Sequence, residues 1–201
     1  MVKGEIGICD TLRFEGVTFT DVPFYVMPEN AKDNANDDGV FGSELLAKGI
    51  LKIDFSKSEL TFSSTPDSIE NLYDAQIFPA TFTNEMIAVD VAFGNKVRKK
   101  MAVDLGFNGD FLLPAGEFKE ISGHKKTFIQ TKQFTTPASF NIVNSTSMFD
   151  TVKIDHSRFI ALISSSPAVT ERLIGLQFFK RFNYVIFDFI NRRIYLPKKI
   201  W

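Results

Sequence analysis

Asp104 is the residue of this sequence best placed to do chemistry. It closes the apolar run Met101-Ala102-Val103 and is followed by Leu105 and Gly106. A carboxylate at a strand end can take or give a proton, and a glycine two residues on lets backbone approach it closely. The same pattern also makes an ordinary turn, because Asp and Gly suit turn backbone. Asp10-Thr11 in EIGICDTLRFEG is a second acidic candidate, with Leu12 where a glycine would be needed. Asn108, Gly109 and Asp110 follow the Asp104 loop and read first as plain loop, with cleft lining as the functional alternative. His156 and Ser157 are adjacent, yet no G-x-S-x-G elbow accompanies them. No glycine-rich phosphate loop or dinucleotide fingerprint is present.

Metal and cofactor chemistry find little support. His124 and His156 are the only histidines, each without a partner at ligand spacing, and Cys9 is the single cysteine. No internal disulfide, metal or cofactor is therefore expected. The formal charge of -1 gives no reason to expect nucleic acid. Lys96, Arg98, Lys99 and Lys100 flank a predicted hairpin turn and read as a solvated turn. No apolar run approaches the roughly 20 residues of a membrane span, and MVKGEIGICD holds no apolar signal core. Either a cytoplasmic location or a beginning further upstream is expected.

The elements that must position Asp104 are strands. VTFTDVPFYVMP (17–28) alternates, and KIDFSKSELTFS (52–63) reads as two short strands about a polar turn. VIFDFINRRIYLP (185–197) repeats that double-strand pattern, and 87–106 reads as a hairpin turning at Gly94 and Asn95. SELLAKG (43–49) and LQFFKRF (176–182) are the predicted helices, the first capped by Gly49. PENAKDNANDDG (28–39) reads as a loop and 64–76 as a linker. The 22 phenylalanines are spread along the chain, as core residues are.

An internal repeat ties these pieces together. Residues 40–62 and 173–196 both open on two apolar residues and a glycine: Val40-Phe41-Gly42 and Leu173-Ile174-Gly175. Each continues through a helix-like stretch to an apolar strand, an Asp-Phe pair, a turn and a second strand. The pairs are Asp54-Phe55 and Asp188-Phe189. Gly42 and Gly175 are expected to serve close backbone packing, and Asp54 and Asp188 to be structural turn residues. The repeat predicts an all-β chain of two related lobes: 1–63 the closing half of a first, 64–76 a linker, and 77–201 a complete second.

An apolar-apolar-glycine segment, a short helix and a "strand, Asp, turn, strand" ending resemble the closing half of a retropepsin or pepsin-like lobe. GLQFFKRFNYVIFDFINRRIYLP carries this most specifically, and the likeness extends over most of the chain to bilobal bacterial aspartyl-protease-like proteins. The resemblance implies that Asp104, Leu105 and Gly106 occupy the active-site loop. It further implies peptide-bond hydrolysis by two carboxylates sharing one proton, one activating water and the other polarising the scissile carbonyl. A β-hairpin flap, a peptide or protein substrate and an exported bacterial setting are implied with it.

Two departures qualify the implied activity. Leu105 replaces the hydroxyl residue that would brace the two loops, giving Asp-Leu-Gly in place of Asp-Thr-Gly. The first lobe also shows no Asp-Thr/Ser-Gly. Asp10 stands less than half as far from Gly42 as Asp104 does from Gly175, which leaves no room for the intervening strands and flap. Under this resemblance, residues 5–27 look instead like the late flap strand and the strand after it. The expectations are therefore an aspartic endopeptidase seen without the opening half of its first lobe, or a non-catalytic peptide-binding or scaffold module. A monomer is expected over a homodimer in which each chain lends one Asp, because the partial first lobe would cover that interface.

Overall fold

The structure, a computed structural model, describes residues 5–14, 16–26, 42–69, 75–83, 86–94, 97–136, 139–167 and 169–197. The loop read at 28–39 and the apolar pair Val40-Phe41 lie outside the described residues. Strands β1 (Glu5–Phe14) and β2 (Val17–Val26) come first, then helix α1 (Ser43–Leu46), β3 (Ile50–Asp54) and β4 (Glu59–Ser63). β5 (Ala75–Phe78) and β6 (Thr81–Phe82) lead into β7 (Ile87–Phe93) and β8 (Val97–Asp104). β9 (Phe111–Leu113), α2 (Ala115–Ser122), β10 (Phe128–Thr136), β11 (Ser139–Ile154) and β12 (Ser157–Ser165) follow. β13 (Leu173–Gly175), α3 (Leu176–Phe179), β14 (Tyr184–Asp188) and β15 (Arg193–Pro197) complete the order.

The period-2 patterns become strands as predicted. β7 and β8 form the 87–106 hairpin, pairing Val89 with Met101, and Gly94 turns it at φ +57°. An eight-stranded sheet runs β10-β11-β12-β9-β13-β8-β7-β6. The far end of β11 also pairs with β7, setting Val152 against Phe93. That second pairing closes β7, β8, β13, β9, β12 and β11 into a six-stranded barrel, which removes the free edges those strands would otherwise expose.

A five-stranded sheet, ordered β4-β3-β14-β15-β5, joins the two repeat segments. β3 and β14 run antiparallel at its centre, pairing Ile50 with Asp188, Lys52 with Ile186 and Asp54 with Tyr184. Exchanging the repeat copies leaves this register unchanged, since Asp54 corresponds to Asp188 and Ile50 to Tyr184. The third sheet is the β1–β2 hairpin alone. Phe19 and Val22 anchor it in the core, while Ile6 and Ile8 are exposed.

Aromatic residues fill the barrel. Phe178 of α3 sits at 5.2 Å from Phe111, 5.3 Å from Phe159 and 5.4 Å from Phe179, each edge-on, the geometry that ring quadrupoles favour. Phe93, Phe182 and Phe187 are fully buried with them.

Three local features differ from the sequence reading. Helix α2 lies where no helix was predicted: its apolar stripe is only Phe118 and Ile121, among Gly116, Gly123 and Pro114. Gly49 is not a left-handed cap; it is glycine because a Cβ there would meet the Phe62 ring at 2.4 Å and the Ser63 carbonyl at 2.7 Å. Finally, Ala75 and Gln76, placed in the linker, already belong to β5, paired with Pro197 and Leu196.

Candidate active site

Asp104 ends β8 at the point where β13 passes alongside in parallel, with Gly175 in register. The chain then turns sharply, and the Phe107 amide donates to the Asp104 carbonyl at 3.2 Å. The Gly106 amide donates to Asp104 Oδ1 at 2.9 Å, orienting the half-buried carboxylate. A side chain at residue 106 would begin only 3.1 Å from that oxygen. Leu105 is half-buried and packs against the hydrophobic core.

The loop after Asp104 is fastened to the segment that enters α3. Gly175 donates its amide to the Asp110 carbonyl at 2.8 Å, Leu176 to Phe107 at 2.9 Å and Gln177 to Gly109 at 3.1 Å. The Gln177 side-chain amide adds a 2.6 Å bond to Asn108 Oδ1. No side chain fits at Gly175, whose Cβ would lie 2.3 Å from both the Phe107 and Gly109 carbonyl oxygens.

Asp110 has a structural task. Its buried carboxylate accepts the Leu162 amide at 2.8 Å and is paired with the Arg181 guanidinium, which also donates to the Ile160 carbonyl. Loop, barrel wall and the turn after α3 are thereby held together by one charge pair. Asn108, Gly109 and Asp110 therefore brace the loop from within.

Glu117 of α2 binds Arg172 through two of its nitrogens, and Lys99 of β8 bridges Glu117 and Glu120. The Arg172 hydrogen bond, against some burial and with the help of the Arg172 and Lys99 charges, holds the Glu117 carboxyl below its ordinary range. The Arg172 backbone carbonyl accepts the Ala102 amide at 2.8 Å, so this cluster fixes where β13 joins β8.

The remaining candidates lie apart from this arrangement. Asp10 is exposed in the β1–β2 hairpin, where the register steps from Cys9–Val22 to Thr11–Thr20. Asp54 accepts the Ser56 amide and hydroxyl and the Lys57 amide, and faces Lys52 at 3.5 Å. Burial raises its pKa, but those hydrogen bonds and the Lys52 charge outweigh it and leave the carboxyl lowered. Asp188, fully buried, accepts the Asn191 amide and side chain at 2.8 Å each. Both carboxylates cap turns. Gly42 is exposed at the start of α1, and its carbonyl accepts the Leu45 amide. His156 is exposed beside Asp155, 3.5 Å away, and His124 is exposed. Among the described residues no His, Cys, Asp or Glu group could hold a metal, and no helix is long and apolar enough to cross a membrane. Arg98 and Lys100 are exposed, and Lys96 lies outside the described residues.

Sequence reasoning singled out Asp104 and Gly106 as a candidate loop and Gly175 as a packing glycine, and the structure places Gly175 in register with Asp104. The same reasoning missed the roles of Arg181, Gln177 and the Glu117–Arg172 pair, which depend on distant segments meeting. For Asp104 itself, the Gly106 amide is the hydrogen-bond partner of the carboxylate among the described residues, and no second carboxylate is bonded to it there.

No family model and no curated protein matches the sequence. Among solved structures, the chain matches a retropepsin-like aspartic protease from Rickettsia conorii. The two are 21% identical, with 56% of this chain and 88% of the other covered and a TM-score of 0.36.

Proposed function

We propose that this chain is an aspartic-endopeptidase-type protein in which Asp104 supplies one carboxylate of a proton-sharing pair that hydrolyses peptide bonds. The observation that carries the reading is the Asp104 turn: a carboxylate held by the Gly106 amide at 2.9 Å, beside a Gly175 backbone with no space for a side chain. Backbone donation to one carboxylate oxygen fixes its orientation and leaves the other oxygen available to a water or a partner acid. The second carboxylate would come from outside the described residues, because none of these is bonded to Asp104.

The lobe assignment belongs to the same proposal, with 1–63 as the closing half of one lobe, 64–76 as the connection, whose last two residues already pair in β5, and 77–201 as the second. It is supported by the exchange-invariant register of β3 and β14. The test is cleavage of a mixed peptide library at acidic pH, by this chain and by any longer natural form of it, with and without pepstatin. Pepstatin-sensitive cleavage that disappears in Asp104→Asn is the expected result; equal cleavage by that variant would refute the assignment.

Leu105 favours a second reading. It lies against the core where the hydroxyl of an Asp-Thr-Gly loop would brace a partner loop. On this reading the chain is a peptide-binding or scaffold module without catalysis. It then shows no cleavage in any form, and Asp104→Asn binds peptides as the unmodified chain does.

A further inference from the structure

We propose that the cavity beside α2 is a binding site for a small oxyanion, separate from Asp104. Its volume is about 270 Å3, and its lining includes Phe118, Lys119 and Ser122 of α2 with Thr127, Thr146 and Ser165. On β12, Phe159, Ala161 and Ile163 are buried core residues, and Ser165 continues their row. On β11, Thr146 stands opposite Ser165 and is exposed, two positions from the buried Met148. A pattern that served only the core would place an apolar residue at the buried Ser165.

Ser165 is 4% exposed, and its Oγ has no hydrogen-bond partner among the described residues. Burying a hydroxyl unpaired is unfavourable, so a group in the cavity has reason to meet it. The neighbouring serines show that the sheet can satisfy its own hydroxyls: Ser147 and Ser164 bond each other at 3.0 Å.

Charge selects the kind of ligand. The lining includes Lys119, an exposed residue, and no Asp or Glu. The chain leaves the cavity at Ser122 and returns at Thr127 through exposed His124, Lys125 and Lys126. The carboxylates packed nearby are engaged elsewhere: Glu117 by Arg172, Glu120 by Lys99 and Asp150 by Lys125. Ser122 Oγ already donates to the Lys119 carbonyl at 3.3 Å. The Thr127, Thr146 and Ser165 hydroxyls remain as donors to anion oxygens, with Lys119 supplying the charge. The volume lies at the small end for ligand pockets, which suits a phosphate- or carboxylate-sized group.

The experiment is a two-dimensional amide NMR titration of the whole chain at constant ionic strength, with inorganic phosphate and, separately, acetate. Saturable shifts centred on Thr127, Thr146, Ser165 and α2 are expected. Ser165→Ala and Lys119→Gln should each weaken binding by about tenfold, the scale of one hydrogen bond to a charged group. Saturation by phosphate alone supports a tetrahedral ligand, and saturation by acetate alone a carboxylate. Asp104→Asn should bind as the unmodified chain does, which separates this result from the peptidase reading. Non-saturating shifts with both anions, or affinity unchanged by Ser165→Ala, would overturn the proposal and leave a hydrated pocket.

Discussion

Gly175 lies in register with Asp104 across the parallel β8–β13 pair, and the space beyond its Cα is filled by the carbonyl oxygens of Phe107 and Gly109. Even a methyl group there would lie 2.3 Å from both oxygens, which belong to backbone and cannot rotate away. Gly175→Ala is expected to destabilise the chain by about 3 kcal/mol or more, the upper end for overpacking. Denaturant unfolding measures it. A loss below about 1 kcal/mol would mean that the loop shifts freely, and that the Asp104 geometry is not held from this side.

The Asp110–Arg181 pair should show the asymmetry of a partly buried ion pair. Arg181→Met leaves the Asp110 carboxylate buried with only the Leu162 amide, and should cost about 2–3 kcal/mol. The figure stays below that of a fully enclosed pair because the Arg181 side chain is 32% exposed. Asp110→Asn with Arg181→Met should lose less than the sum of the single changes. Strict additivity in that double-mutant cycle would deny the coupling.

How much of this was legible in the sequence follows from the range of each interaction. Strands β7 and β8 announce themselves through alternation, and Asp54 and Asp188 through the turns they close, all within a few residues. Asp104 was singled out by its Asp-x-Gly pattern at a strand end ahead of the Leu173-Ile174-Gly175 segment. Asp110 read as plain loop because its partners, Leu162 and Arg181, are brought to it only by barrel closure and α3. Gly49 was misread for a related reason: a glycine after a short helix looks like a cap, whereas the Phe62 ring that excludes its Cβ arrives on β4. Helix α2 escaped because eight residues with two buried apolar side chains give too short a stripe to stand out, and its ion pairs reach β8 and Arg172.

Acid should act on stability through Asp54 and Glu117. Both carboxyls have lowered pKa values in the folded chain. Their contribution is therefore present above the unfolded carboxylate range and is lost as pH falls through the folded values. Glu117→Gln should lower stability near neutrality by at most about 1 kcal/mol, since solvent reaches Arg172 and screens the pair. The difference between variant and unmodified chain should shrink toward zero in strong acid. A difference that persists unchanged at low pH would assign the effect to packing.

The turns capped by Asp54 and Asp188 share an unusual backbone. Ser58 and Arg192 both adopt left-handed conformations, at φ +56° each, and they occupy equivalent places in the two repeat segments. A side chain in that region costs about 1–2 kcal/mol, while glycine there gives up about 0.5–1 kcal/mol in unfolded-state entropy. Ser58→Gly and Arg192→Gly should therefore each raise stability slightly, by about 0.5 kcal/mol. Glycine at the neighbouring strand position Glu59 gains no such relief and should lose about as much. Thermal unfolding of the three variants gives the comparison. If Ser58→Gly and Arg192→Gly destabilise as Glu59→Gly does, the side chains of Ser58 and Arg192 contribute more than their backbone geometry costs, and the turns are held by contacts beyond the Asp54 and Asp188 caps.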